Sequence, residues 1–290
     1  MNANKQDLIG QNKIFPRQPE KISGKIIVVG DIHGQYYKIT DLWNKLKEKV
    51  DDFRERYVIF IGDYMDRGGF VRETMEWLCR LRKTRSKTIF LCGNHDLAFG
   101  TFALVLKGYL PDNYNFQKMH EEYPRKEDLW EGPAEIIKQM HLQGRRWVKI
   151  YDTRPTFKSY GARFGDRVDL LSKMPESHIK FFEDLPWVVE HEKYIFVHSG
   201  LEENKDIKKQ LEILHKRDLT IPRVLPIHGR YLQKAPIWFR EHNVKLVSGH
   251  YHLKDVLISE DRILVDTSGG VKGPISAVML PEEKIIQSAY

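Results

Sequence analysis

The stretch Tyr57-Val58-Ile59-Phe60-Ile61, followed at once by Gly62-Asp63-Tyr64-Met65-Asp66-Arg67-Gly68, decides the fold. A short apolar run without alternation predicts a strand buried on both faces. The glycine and the polar residues after it predict a loop at the strand's carboxyl end. The same pattern occurs on either side. Upstream, Ile26 to Val29 runs into Gly30-Asp31-Ile32-His33-Gly34, and downstream, Thr88 to Leu91 runs into Gly93-Asn94-His95-Asp96. Between the first two runs, Ile39, Leu42, Trp43, Leu46 and Val50 have the spacing of one buried helical face, and Val71 to Leu81 predicts a second helix. Strand, polar loop and helix, repeated, predict βαβ units with helices packed on a sheet.

Farther along, Trp187 to Val189 predicts a strand, and Tyr194 to Val197 leads into His198-Ser199-Gly200. Val244 to Val247 leads into Gly249-His250-Tyr251-His252, and Arg262 to Val265 and Ile275 to Leu280 predict further strands. The segment of about 109–165 breaks this rhythm. It is rich in charge and aromatics, with helical patches such as Ala134 to His141, and reads as an inserted helical cap. Residues 1–22 form a polar N-terminal tail, which leaves 23–290 as a single domain.

Lys and Arg outnumber Asp and Glu by 47 to 40, a formal charge of +7 that suits an anionic substrate or aids solubility. The basic residues are scattered, so charge alone does not argue for nucleic-acid binding. No apolar run approaches the ~20 residues that span a bilayer, so no membrane role is expected. Two cysteines, Cys79 and Cys92, do not make a secreted disulfide framework, and a cytoplasmic location is expected.

In open α/β sheets the loops at the strands' carboxyl ends share one edge and form the ligand crevice. The loops here bring Asp31, His33, Asp63, Asn94, His198, His250 and His252 toward such an edge. Each alone has a bland reading as turn chemistry or a satisfied strand-end histidine. Together they are an oxygen and imidazole set without thiolate, suited to divalent manganese, iron or zinc. A carboxylate such as Asp63 can bridge two ions, the usual clamp for in-line attack at phosphorus. Cys79 and Arg85 match the Cys-x5-Arg spacing of cysteine phosphatases, but the segment ends a predicted helix and contains no glycine for a phosphate loop.

Asp-x-His-Gly, Gly-Asp-x-x-Asp-Arg-Gly and Gly-Asn-His-Asp, then a strand-borne His198 and a Gly-His at 249–250, resemble the calcineurin-like metallophosphoesterase superfamily. The Asp-Arg-Gly form resembles its phosphoprotein-phosphatase branch. The bacterial and phage serine/threonine phosphatases and the symmetrically cleaving diadenosine tetraphosphatases are most alike. Ser159-Tyr160-Gly161, Arg217-Asp218 and Val265-Asp266-Thr267-Ser268-Gly269 add to the likeness. The resemblance implies an α/β fold, a central β-sandwich of mixed sheets flanked by helices. It implies one metal held by Asp31, His33 and Asp63 and a second held by Asp63, Asn94, His198 and His250. His252 stands where the broader superfamily completes the first metal's shell. His95 would be the general acid, oriented by Asp66, with Arg67 gripping phosphate oxygens and Arg217 a second phosphate-binding arginine. Arg154, in the inserted segment, is a further candidate for anionic substrate. The implied activity is hydrolysis of phosphomonoesters, phosphoserine or phosphothreonine among them, by hydroxide activated at two divalent ions, manganese foremost. The alternatives are a dinucleoside polyphosphate hydrolase and a non-catalytic binding module. Implied partners are a phosphorylated protein, a small phosphate ester or a nucleotide.

Overall fold

The computed structural model describes residues 14–106, 151–217 and 224–289. Its first half alternates β1 (Ile26–Val29), α1 (Tyr36–Lys49), β2 (Tyr57–Phe60), α2 (Val71–Thr84), β3 (Thr88–Phe90) and α3 (Asn94–Leu106). Three short helices follow, α4 (Arg154–Ser159), α5 (Arg167–Lys173) and α6 (Glu176–Lys180), then the hairpin of β4 (Val188–His191) and β5 (Tyr194–Val197). Helices α7 (Ile207–Lys216), α8 (Leu225–His228) and α9 (Ile237–Glu241) lead to β6 (Lys245–Ser248) and β7 (Leu257–Ile258). The chain closes with β8 (Arg262–Leu264), β9 (Ser276–Leu280) and β10 (Lys284–Gln287).

The strands form two five-stranded sheets, ordered β10-β9-β1-β2-β3 and β4-β5-β6-β8-β7. In the first, β1, β2 and β3 are parallel and in step, with Val29 opposite Phe60 and Phe60 opposite Phe90. There β9 runs antiparallel to β1, and β10 antiparallel to β9; in the second sheet β5, β6 and β8 are parallel, flanked by antiparallel β4 and β7. The expected mixed-sheet α/β sandwich is therefore present.

Successive strand residues face opposite ways, and that period explains why these strands are apolar throughout. Ile26, Val28, Ile59, Ile61, Ile89 and Leu91 meet Val189, Phe196, Val247 and Ile263 of the other sheet in one core. Ile27, Val29, Val58, Phe60 and Phe90 belong to a second core that also holds Ile39, Leu42, Trp43 and Leu46 of α1 and Met75 and Leu78 of α2. The helical face predicted for α1 is the face it buries.

Part of the stretch assigned to a polar tail packs on the body: Phe15 is buried, the Gln18 side chain accepts the Phe90 N–H at 2.6 Å, and Ile22 N–H donates to Glu190 O. No helix among the described residues is long and apolar enough to cross a membrane. Ala134 to His141, and most of the expected cap, lie outside the described residues.

Candidate metal centre

Because the parallel strands end level, the loops after β1, β2 and β3 and those after β5 and β6 come together. Asp63 is the hub. Its Oδ1 accepts the His95 N–H at 2.9 Å, and its Oδ2 lies 3.4 Å from both His33 Nε2 and His198 Nε2. Two groups of candidate ligands form around it, His33–Asp63–His95 and Asp63–His198–His250, each with its ligand atoms within 4.8 Å of one another. Asn94 Oδ1 joins the second, 3.1 Å from His198 Nε2 and 2.9 Å from His250 Nδ1. Asp31 flanks it, its two oxygens each 3.2 Å from the His250 N–H.

The ring orientations are fixed from behind. His33 Nδ1 donates to Met65 O and His198 Nδ1 to Ile61 O, both at 2.8 Å, which turns each Nε2 toward Asp63. His33 Nε2 is buried and has no hydrogen-bond partner among the described residues. A buried nitrogen lone pair without a partner is costly, and a divalent cation would satisfy it. Electrostatics agree with that fit. Burial, helped by His95, holds His33 well below the usual histidine range, and burial with His198 pushes His250 down to about 3, so both are neutral donors. For His198 burial works the same way, but the Asp63 carboxylate overcomes it and pushes the ring up to about 10. Burial would likewise raise Asp63, yet His198, His95 and His33 together hold it well below the carboxylate range. Asp31 is pushed well up, by burial first and then by Asp266. The unpartnered Nε2 of His33 and the carboxylate, amide and imidazole donors around Asp63 suit two divalent ions.

The loops reach this arrangement through unusual backbone. His33, Asp63, Asp66, Arg67 and His250 all have φ between 45° and 66°. Such left-handed non-glycine residues cost roughly 1–3 kcal/mol each and persist only where surrounding structure dictates them. Asp96 is part of that structure. Its Oδ2 accepts the N–H groups of Asp63 at 2.6 Å and Gly93 at 2.9 Å, and its Oδ1 accepts that of Tyr64 at 2.9 Å. Gly93 must be glycine, because a Cβ there would run into the Asp63 carboxylate. Sequence reasoning gave Asp96 and Asp266 no role, although both stand inside motifs it had singled out.

Beside the first group, His95 Nδ1 donates to Asp66 Oδ2 at 2.8 Å, and Arg67 Nη2 donates to His95 Nε2 at 3.1 Å. The other expected residues lie farther out. His252 is exposed, with Gly269 against its ring, and neither it nor Asp31 enters a group of three among the described residues. Arg217 caps α7, with Nη1 3.9 Å from Asp184 Oδ1. Arg154 is exposed, its guanidinium 4.0 Å from the Phe164 ring centroid. Asp218 lies outside the described residues. Cys79 is buried within α2, which pushes its thiol up to about 12, so the Cys-x5-Arg match is not a nucleophile.

Similarity to known proteins accords with this geometry. Residues 24–263 match the calcineurin-like phosphoesterase family profile. The catalytic subunit A2 of serine/threonine-protein phosphatase 2B from Saccharomyces cerevisiae is 34% identical over 106 residues, 36% of this chain and 17% of that one. The serine/threonine-protein phosphatase 6 catalytic subunit of Caenorhabditis elegans is 37% identical over 76 residues, 26% of this chain and 22% of that one. The chain thus spans about a fifth of the length of these curated relatives. Among solved structures, a cold-active protein-tyrosine phosphatase of a psychrophilic Shewanella aligns with TM-score 0.54 at 16% identity, covering 96% of this chain and 85% of that one. A candidate diadenosine tetraphosphatase aligns with TM-score 0.52 at 15% identity over 94% and 97% of the two chains. At those identities the likeness is one of fold. With a profile match across most of its length, the chain belongs to the calcineurin-like phosphoesterase family.

Proposed function

We propose that the chain is a metal-dependent phosphatase that hydrolyses phosphomonoesters, with phosphoserine and phosphothreonine among its substrates. The observation that carries this reading is the placement of Asp63 in both candidate ligand groups, as a carboxylate shared by two ions would be. One ion would be held by Asp31, His33 and Asp63, with His252 completing its shell, and the other by Asp63, Asn94, His198 and His250. Manganese suits this mixture of imidazole, amide and carboxylate better than magnesium, which favours oxygen alone. When bound, the ions would supply Lewis-acid activation of water and of the phosphate.

The protein's own groups do the rest. Arg67 would grip non-bridging phosphate oxygens in a bidentate manner. With Arg67 turned from His95 to the phosphate, His95 Nε2 would be free to bind a proton from solvent, its positive charge offset by Asp66, and to pass that proton to the leaving oxygen. Asp66 meanwhile fixes the opposite nitrogen, so the ring presents Nε2 and no other atom. The segment of about 109–165 would be a helical cap inserted in a single domain spanning 23–290. Two free, buried cysteines accord with action in the reducing cytoplasm.

A substrate panel tests the reading. Phosphoserine and phosphothreonine peptides, nitrophenyl phosphate, a nitrophenyl diester and dinucleoside polyphosphates would be assayed with manganese and with excess chelator. Monoester turnover that requires manganese is expected. Preference for the dinucleoside polyphosphates would transfer the assignment to pyrophosphate cleavage. Turnover in chelator, with metal content shown to be negligible, would overturn the two-ion site.

A further inference from the structure

Asp66 is held by two donors, and only one belongs to the loops of the metal centre. While Oδ2 accepts from His95 Nδ1, Oδ1 accepts the Thr156 hydroxyl at 2.6 Å, and the Asp66 N–H donates back to that hydroxyl at 3.2 Å. Thr156 is fully buried in α4, the short helix at the end of the inserted segment. One hydroxyl thus satisfies both the carboxylate and the backbone of a residue in left-handed conformation, φ 66°. The β-branched side chain allows few rotamers, so that geometry is firmly set.

The helix is itself pinned. Ser159 Oγ accepts the Arg72 N–H at 2.8 Å. Tyr160 OH pairs with His178 Nδ1 at 2.8 Å, and His178 Nε2 with Glu76 at 3.1 Å. Just before it, Asp152 O accepts the Arg67 N–H at 3.1 Å, and the Tyr151 ring meets the His95 ring edge-on at 4.8 Å. Three residues at the end of the insertion, Tyr151, Asp152 and Thr156, therefore touch His95, Arg67 and Asp66 respectively.

We propose that Thr156 is a positioning residue for proton transfer: it fixes the rotation of the Asp66 carboxylate, and through Asp66 the ring of His95. The proposal rests on the reading of His95 as the proton donor. Without the hydroxyl, the carboxylate can rotate about its last bond and the imidazole loses its fixed aim.

The test compares Thr156→Val, which keeps the shape and removes the hydroxyl, with Thr156→Ser, which keeps the hydroxyl, and with His95→Asn as reference. Turnover of phenyl phosphate, a poor leaving group, and of nitrophenyl phosphate, a good one, would be measured in saturating manganese alongside metal content. The His95 Nδ1–H resonance would be followed in 15N-histidine-labelled, metal-free protein. Thr156→Val should lose roughly 10–100-fold in kcat on phenyl phosphate, as for other lost supporting partners, with a much smaller loss on nitrophenyl phosphate and unchanged metal content. Thr156→Ser should recover most of that loss, and the His95 resonance should broaden in the valine variant only. Wild-type turnover in Thr156→Val, or equal losses on both substrates with the resonance unchanged, overturns the proposal. If His95→Asn shows the leaving-group split and Thr156→Val does not, only the role of Thr156 falls. If His95→Asn loses equally on both substrates, the proton-donor reading falls and the proposal goes with it. Should the valine variant fail to fold, Thr156→Ala, which leaves room for a water in place of the hydroxyl, is judged by the same outcomes.

Discussion

Asp63 works from a backbone conformation that an aspartate enters only under constraint, and the constraint comes from its neighbours. The Asp96 carboxylate gathers the N–H groups of Asp63, Tyr64 and Gly93, so the loops after β2 and β3 are tied through one side chain. At this scale most of the site was legible, because oxygen and imidazole donors at strand ends announce themselves in sequence. The braces were less legible, since a buried carboxylate that receives backbone N–H groups looks no different in sequence from a ligand. His252 stands apart from both candidate ligand groups. It is exposed and rests against Gly269, beside the buried Asp266 whose own carboxyl is raised by burial. If it completes the shell of the ion held by Asp31 and His33, His252→Ala should raise the manganese concentration for half-activity by roughly 10-fold or more, in line with a lost metal partner. Thermal unfolding in chelator should not change, because an exposed ring contributes little packing. An unchanged manganese titration would place His252 outside the shell.

Elements were legible where burial is two-sided. Each central strand reads as an unbroken apolar run, because one face meets the other sheet and the next face meets a helix. Strand bounds differ by only a residue or so from those expected, and larger departures have physical causes. Helix α2 runs to Thr84 rather than Leu81 because Arg82, polar in sequence, is buried with its guanidinium donating to Phe181 O and lying 4.7 Å from the Phe15 ring centroid. Helix α3 gave no periodic signal, since Leu97 to Leu106 is apolar almost throughout. The edge strand β10 has two apolar residues side by side between polar ones and no alternation to betray it. Arg56 belongs with these hidden residues. It sits in a charged stretch before β2, yet it is buried, clasped by Asp52 and Glu282 and donating to Leu280 O at the end of β9. Arg56→Ala should destabilise the fold by about 1.5–3 kcal/mol at neutral pH, the range for hydrogen bonds to charged partners. Arg56 holds Asp52 and Glu282 each down to about 2, with Lys25 helping at Asp52. A depressed folded-state value adds stability above the unfolded carboxylate range near 4, and that contribution is lost as pH falls toward 2. The gap between wild type and variant should therefore narrow from pH 6 to pH 3 in urea unfolding. A gap of the same size at both would mean that Arg56 acts through packing and not through charge.

The whole molecule places one site across two sheets. Asp31, His33, Asp63 and Asn94 come from loops of the first sheet, and His198 and His250 from loops of the second, with Asp63 Oδ2 and His198 Nε2 only 3.4 Å apart at the join. Sequence could not assign those loops to separate sheets, because strand, glycine and polar loop read alike in both halves. What joins the sheets elsewhere is an apolar core, and what meets at their shared edge includes buried carboxyl groups: burial pushes both Asp31 and Asp266 upward, and Asp266 raises Asp31 further. Divalent ions held there would favour the closed pair of sheets over the unfolded chain, so stability should depend on metal concentration as binding linkage requires. Manganese at 100 times its dissociation constant adds about 2.7 kcal/mol for one site, and at ~2–4 °C per kcal/mol for a chain approaching this size the midpoint should rise by roughly 5–11 °C over that in chelator. Asp63→Asn, which weakens the residue common to both candidate groups, should flatten that climb while leaving the chelated midpoint comparatively little changed. A midpoint that stays flat across the manganese series in wild type would mean that the ions do not fasten one sheet to the other, and that the hydrophobic core alone holds the edge together.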